Sequence, residues 1–542
     1  MRRLLPVAVY MALAVVLTWP AALHPVRDLP GADRTDLWDS LWSLWYFWVR
    51  VSAGELPYRV DGLLDHPTGG VLWVADPVNA VFALPLIPLV GVAATWTVLV
   101  LGHLTFAGIA AHRLGEAVSP DRPWAGWVTG VLYASAPLLM AHVHNGASEA
   151  VGTGWMAWAA LRLVRLEAAP TPRNAGLAGL AVALTAVAHW YAGVGIFLLA
   201  GLMLLRARTR PRLVTLVGAL ALACALVLPV AWLARNAATT EDNVVGIKSD
   251  REIATVRRTI GPADPLGFVH PGDYRSPDFR ELSRYGEQYI HCHYLGWVGL
   301  LAMLAALRRR RDTGVWWAGA LLAAALACGP VLAQKGAPVI LSGNLAIPLP
   351  YFLVEALPGF SSLSLLWRLA QLTVLAVAVL AGRAAGGSVG IAALVAVAAL
   401  AETVWVSPMA GQRETTDAIM PAAIVALAAE PEGALMNFPV AGGRAFLYEQ
   451  TVHHKPLTGG LNFPNNNASR KVWKEALLNV NAAPEALAEA VGNKARQGGV
   501  RYLVVHIDAM ARPDMHDPAV RALKYAFTPI AEGDGVRVYR LW

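Results

Sequence analysis

Long apolar runs separated by short polar links dominate the first 406 residues of this chain. A helix needs about 20 apolar residues to cross a hydrocarbon core of about 30 Å. Such runs lie near residues 4–23, 92–112, 124–143, 148–166, 175–190, 191–206, 212–234, 295–307, 315–333, 364–382 and 387–406, which predicts about 11 transmembrane helices. Segment 77–91 carries Pro77, Pro85 and Pro88. It reads as an interfacial or re-entrant helix, or as one further span.

The links set the orientation. Basic residues in short connections favour the cytoplasmic side. Arg113 with Arg122, Arg165 with Arg173, the Arg206 to Arg212 run, the Arg308 to Arg311 run, and Arg383 all fall in alternate connections. An odd number of spans starting inside puts all five on the cytoplasmic side. The longer polar stretches 24–79, 235–294 and 334–363 then face outward, together with everything after residue 406.

Beyond that point the apolar runs stop. Alternating segments at 434–439, 501–506 and 536–540 read as strands, and a helical period occupies 471–497. The expected fold is therefore an α-helical polytopic membrane domain over 1–406, followed by an extracytoplasmic α/β domain over 407–542.

Composition agrees with this division. Only 15% of the 542 residues are charged and 56% are hydrophobic, against about 25% charged in ordinary soluble domains. The 20 tryptophans suit a bilayer interface. The net charge of +7 resides in the links rather than in a basic stripe with interleaved aromatics, so no nucleic-acid partner is expected. Three cysteines without a CxxC pair outline no disulfide framework.

Candidate chemistry gathers in the outward stretches. Asp33, Asp36 and Asp39 lie at the head of a stretch that carries Trp38, Trp42, Trp45 and Trp48. On a helix, acids three apart share a face, and the tryptophans make a stripe suited to lying along the membrane surface. A carboxylate there is placed to take a proton from a hydroxyl or to hold a divalent cation. His142, His144 and Glu149 occupy the next outer junction, where they serve as a relay, as ligands or as helix caps. Arg235 ends a span at the outer face, and His291 and His293 open the following one. Arg368 sits inside the outer part of an apolar run, where a charge is costly without a partner, and its guanidinium suits a phosphate. No Walker loop, GxSxG elbow, HExxH or dinucleotide fingerprint is present, which argues against direct use of ATP.

Several short elements together resemble the GT-C superfamily of membrane glycosyltransferases, in particular its YfhO-like bacterial members. They are Gly31-Ala32-Asp33-Arg34-Thr35-Asp36, His66-Pro67 with Gly69-Gly70, Ala136-Pro137 through His142, His144, Gly146 and Glu149, and Tyr294-Leu295-Gly296-Trp297. Further elements are Ile347 to Tyr351, Leu357 to Phe360, Arg368, and in the last domain Phe438-Pro439, Gln450, His453 to Pro456 and Gly459-Gly460. The usual Gly-Asp pair is interrupted by Ala32, so the equivalent acid is open. The resemblance implies a bacterial inner-membrane protein that moves a sugar from a polyprenyl-phosphate donor to a glycan, lipid or protein acceptor on the outer face. It implies a first-loop Asp as base, Asp36 ahead of Asp33 or Asp39, and Arg368, with His291 or His293, against the phosphate. A transporter or flippase of a lipid-linked substrate, and a non-catalytic envelope assembly protein, are the rival readings.

Overall fold

The computed structural model describes residues 4–73, 76–244, 250–272, 289–341, 345–357, 359–411, 413–438, 444–461, 466–507 and 518–542. Apolar side chains with few breakers make helix the only way to satisfy the backbone away from water, and helices dominate up to residue 405. They begin with α1 (Leu5–Leu17), α2 (Leu37–Ser52), α3 (Pro77–Val118), α4 (Ala125–Ala134) and α5 (Pro137–His144). A single turn, α6 (Ser148–Val151), leads to α7 (Gly154–Ala168), α8 (Pro172–Ala188), α9 (Trp190–Arg206), α10 (Arg210–Thr239) and α11 (Asp250–Arg258). Then follow α12 (Trp297–Ala305), α13 (Arg310–Ala327), α14 (Ala370–Ala385) and α15 (Val389–Trp405).

Among the described residues, four helices are long and apolar enough to cross a membrane: Pro77–Val118, Ala125–His144, Arg210–Thr239 and Leu366–Ala385. Four shorter apolar helices, Leu5–Leu17, Trp190–Arg206, Thr313–Ala327 and Val389–Trp405, have 10–17 residues. The expected count of about 11 is thus not reached by helix length. Hydropathy counts apolar residues and ignores the backbone breaks between them. His189, for example, is extended (φ −153°, ψ 111°) between α8 and α9, and each of those helices has 17 residues.

Segment 77–91 is helical. It runs into the span after it except at Gly91, whose φ of 79° and ψ of 169° break the helix. The α3–α4 link and the end of α14 meet at one end of the bundle. There Trp124 N–H donates to Gly386 O at 3.0 Å, and Arg383 pairs with Asp121.

Opposite them, the first polar stretch packs on the C-terminal residues. Strand β1 (Asp28–Pro30) pairs antiparallel with β6 (Thr415–Asp417), and between them in sequence lie two short hairpins, β2 (Ala333–Gln334) with β3 (Ala337–Pro338), and β4 (Ile340–Leu341) with β5 (Leu345–Ala346). The C-terminal sheet has β7 (Ala434–Phe438), β8 (Val500–His506), β9 (Pro529–Gly533) and β10 (Val536–Arg540), in the order β7-β8-β10-β9. β7 and β8 are parallel and the other pairs are antiparallel. The helical stretch 471–497 resolves into α18 (Asn467–Leu478) and α19 (Pro484–Gln497), with α16 (Ala422–Ala428), α17 (Ala445–His453) and α20 (Pro518–Ala526) around it.

Side chains alternate across a strand, and here the two sheet faces belong to different cores. Leu435, Tyr502, Val504 and Val538 join the core that holds Trp42 and the helices. Met436, Leu503, Val505 and Tyr539 pack instead with Val472, Leu487 and Leu523 of the outer helices.

This junction corrects the expected place of the α2 tryptophans. Trp38, Trp42 and Trp45 are buried at 4%, 0% and 3% exposure, not laid on a membrane surface. Trp42 donates its indole N–H to Gln450 Oε1 at 2.7 Å, Trp38 stacks on Tyr448 with centroids 5.1 Å apart, and Trp45 meets His454 at 5.6 Å. A half-apolar aromatic stripe fits an interface between two protein layers as well as a lipid boundary, and periodicity does not tell them apart. Gln450 also donates to the carbonyls of Leu63 and Lys455. Gln450→Leu removes the acceptor of the Trp42 indole and a donor to the Leu63 and Lys455 carbonyls in the junction. It should lower stability by about 1–3 kcal/mol, seen as a lower melting temperature of the detergent-purified chain.

Candidate functional site

A guanidinium in an apolar helix must find acceptors, because burying it alone costs several kcal/mol. Arg368 is 6% exposed. It lies on the 3-10 turn Leu366–Leu369 that opens α14. The turn is held from both sides. Trp367 N–H donates to Gly261 O at 2.9 Å, and Ser364 and Leu365 N–H donate to the Tyr191 hydroxyl at 3.2 and 2.9 Å. A Cβ at Gly261 would lie 1.8 Å from Ser364 O, so only glycine permits this approach.

From there Arg368 reaches three groups. Nη1 donates to Glu149 Oε1 at 2.8 Å, Nη2 donates to the Tyr289 hydroxyl, and the Tyr191 ring lies 5.7 Å from Cζ. Tyr289 in turn bonds the Asp36 side chain. Burial lifts its hydroxyl pKa well above the ordinary value; Arg368 opposes that shift, and Asp36 and Glu149 reinforce it. The proton therefore stays on Tyr289, which donates it in a hydrogen bond to Asp36. Asp36, Tyr289, Glu149 and Arg368 form one connected cluster.

Asp36 is the residue just before α2, and its N–H donates to Asn145 O at 3.1 Å. Asn145 and Ile290 exchange two hydrogen bonds of 2.8 Å, and Ser40 Oγ donates to Gly146 O at 2.6 Å. Gly146 has φ +61°, and a Cβ there would lie 2.4 Å from Leu37 Cα. The first polar stretch, the 142–149 element and residues 289–290 are thus tied together through backbone atoms. Arg444, from the C-terminal residues, then donates from Nη1 to both Asp36 Oδ1 (2.9 Å) and Asp39 Oδ2 (2.5 Å).

The three acids expected on one face are therefore split. Asp36 and Asp39 share Arg444, whereas Asp33 precedes the helix, is exposed, and accepts from Trp38 Nε1 at 2.7 Å. The donor set does not fit a divalent ion. The Arg444 cation lies between the two carboxylates that would chelate it, and no group of three or more His, Cys, Asp or Glu able to hold a metal occurs among the described residues.

The histidines form a second layer. Trp367 lies between the rings of His142 and His291, at centroid distances of 5.4 and 5.2 Å. Gln371 donates its amide N–H to His142 Nε2 at 3.1 Å, and His142 Nδ1 is buried with no partner among the described residues. His291 Nδ1–H donates to Ile260 O at 3.1 Å and His293 Nε2–H donates to Asp264 O at 2.8 Å. Burial pushes their pKa values down to about 3 and about 4, with Arg368 adding to the shift at His291. Both are neutral at physiological pH.

His144 is buried, and its carbonyl accepts Ala32 N–H at 2.8 Å. Arg235 is exposed on α10, and its side chain pairs with no described residue. The structure adds residues that sequence reading missed: Tyr289, Arg444, Trp367, Gln371 and Asp76. Asp76 caps α3 by accepting Asn79 N–H at 2.9 Å, and burial, with the Glu149 charge nearby, raises its carboxyl to about 7.

With this geometry in hand, comparison with known proteins is informative. No protein-family model matches the chain, and no curated protein matches it. Arabinofuranosyltransferase AftD from Mycobacteria superposes with a TM-score of 0.52 at 17% identity, over 100% of this chain and 40% of that one. At that identity the likeness is one of fold alone. The apo oligosaccharyltransferase of Archaeoglobus fulgidus gives a TM-score of 0.49 at 12% identity, over 93% of this chain and 69% of that one. This chain spans only 40% of the length of AftD.

Two predictions follow from the cluster's electrostatics. Glu149→Gln removes the carboxylate paired with a buried cation and should cost about 3 kcal/mol or more, measured as thermal stability in detergent. The buried histidines add an acid sensitivity. Between pH 6.5 and about 4 the unfolded chain binds protons on His291 and His293 that the folded chain refuses. Stability should therefore fall as pH drops through that window, by up to about 1.4 kcal/mol per pH unit for each ring. His293→Gln should flatten the slope.

Proposed function

We propose that this chain is a membrane glycosyltransferase that moves a sugar from a polyprenyl-phosphate donor to an acceptor hydroxyl at the Asp36–Arg368 cluster. The observation that carries the reading is the convergence of a carboxylate, a proton-bearing phenol and a buried guanidinium, drawn from chain stretches more than 330 residues apart. Asp36 and Arg368 set that separation. A phosphate arriving from lipid meets Arg368 and Tyr289, a cation and a neutral donor, where negative charge develops. In the step itself, the acceptor oxygen bonds to the anomeric carbon and its proton passes to Asp36. The bond from that carbon to the phosphate oxygen breaks, and its electron pair leaves with polyprenyl phosphate. Arg368 donates to the departing phosphate, Tyr289 turns its one O–H from Asp36 to that phosphate as Asp36 takes the acceptor's proton, and Arg444 fixes Asp36 against α2.

The rest of the reading goes with it. The chain is placed in a bacterial inner membrane with about 11 crossings, the shorter helices included, and it groups with YfhO-like proteins. Its N-terminus is cytoplasmic, and residues 407–542 form an extracytoplasmic α/β domain.

Proteoliposomes supplied with a radiolabelled polyprenyl-phosphate sugar and a mixed envelope-glycan acceptor provide the test. Asp36→Asn should lower transfer by about 100-fold or more while the protein still inserts and folds, a far larger loss than Asp33→Asn causes. Equal activity in the Asp36→Asn and wild-type proteins would remove Asp36 as base. Donor crossing the bilayer without sugar transfer would mark a flippase instead.

A further inference from the structure

Beyond the cluster, one cavity of about 490 Å³ opens at the junction of α2 with the C-terminal residues. This lies within the roughly 300–1,000 Å³ typical of small-ligand sites. Its floor combines two kinds of group. Trp38 and Tyr448, stacked on each other, with Ile419 and Pro421, give an apolar wall, and Ile419 stands 57% exposed at it. Four acids, Asp33, Glu414, Asp417 and Glu449, line the rest, with no Lys or Arg among the lining residues.

Glu449 is 5% exposed, with His506 Nδ1 at 3.5 Å as its ion-pair contact. Burial lifts its carboxyl above the usual range. A carboxylate kept this far from water is stable only where donors reach it.

The cavity also has a meaningful position. Asp33 and Trp38 bracket Asp36 in sequence, and the lining residue Ala445 follows Arg444, which holds Asp36. The electrostatics of the two places are opposite. The Arg368 cluster presents a cation and donors to an anion, whereas the cavity presents acceptors only in charge and would repel a phosphate.

A ligand that fills such a cavity must bring many hydroxyl donors and an apolar face. Pyranose and furanose rings have both: C–H faces that pack on aromatic side chains and O–H groups that donate to carboxylates.

We infer that this cavity binds the saccharide acceptor, neutral or amino-substituted, and delivers its hydroxyl toward Asp36. The inference rests on the glycosyltransferase reading for its purpose, but the binding itself is measured separately. Full-length protein in lipid nanodiscs is applied to an array of neutral, amino-bearing and uronic-acid oligosaccharides, with acidic and neutral decapeptides alongside.

Neutral or amino oligosaccharides should be retained and uronic-acid ones should not. Asp417→Lys and Glu414→Lys, both exposed side chains, should weaken retention about 10-fold or more. Asp417→Asn, which keeps the shape, should weaken it less, and melting temperatures should stay unchanged throughout. Retention of peptides alone, or saccharide retention indifferent to all three substitutions, would overturn the assignment. The two readings fail differently. Retention that follows the substitutions without any sugar transfer sinks the transferase and keeps the cavity, whereas transfer unaffected by the substitutions sinks the cavity and keeps the transferase.

Discussion

Everything at the candidate site is arranged around the need to neutralise Arg368. A guanidinium at the head of an apolar helix, 6% exposed, must be partnered or the helix does not stay there. Glu149 answers from the α6 turn, Tyr289 from the stretch before α12, and the Tyr191 ring from α9. Each partner belongs to a different part of the chain, so satisfying one charge assembles four segments. Tyr289 carries the arrangement one step further, since its hydroxyl links the guanidinium to Asp36.

A second arginine closes the assembly from the opposite side. Arg444 grips Asp36 and Asp39 at the start of α2 and so ties the C-terminal residues to the first polar stretch. The tryptophan stripe of α2 lies under this contact, with Trp42 bonded to Gln450 and Trp38 stacked on Tyr448. Rigid aromatic packing beside a paired carboxylate holds that carboxylate in place. The acid-lined cavity opens beside Asp33 and Trp38 of the same stretch, opposite in charge to the Arg368 cluster.

Much of the helical frame is legible in the residue pattern. Apolar runs give helices, and the alternating segments near 434, 501 and 536 give strands Ala434–Phe438, Val500–His506 and Val536–Arg540. β9 escapes notice because Pro529 to Gly533 starts on a proline and is mixed in polarity. The cost of an intramembrane charge also points to Arg368 from sequence alone. Neither Tyr289 nor Arg444 carries such a signal: one is a tyrosine in a polar stretch and the other an ordinary arginine beside an α/β helix.

The sequence by itself determined that helices would dominate, that charges would collect in links and polar stretches, and that Arg368 would need a counter-charge, because hydropathy and the cost of burial act residue by residue. It did not tell how Asp33, Asp36 and Asp39, which have the same side chain within seven residues, differ in their surroundings. Only the tertiary structure gave each its own partners. Asp36 touches both Arg444 and Tyr289, while Asp33 turns to the Trp38 indole and Asp39 meets Arg444. The same holds for the tryptophans, whose periodic stripe suits lipid or protein equally until the opposing surface is known. Contacts across 400 residues of chain are a property of the fold, and no local pattern encodes them.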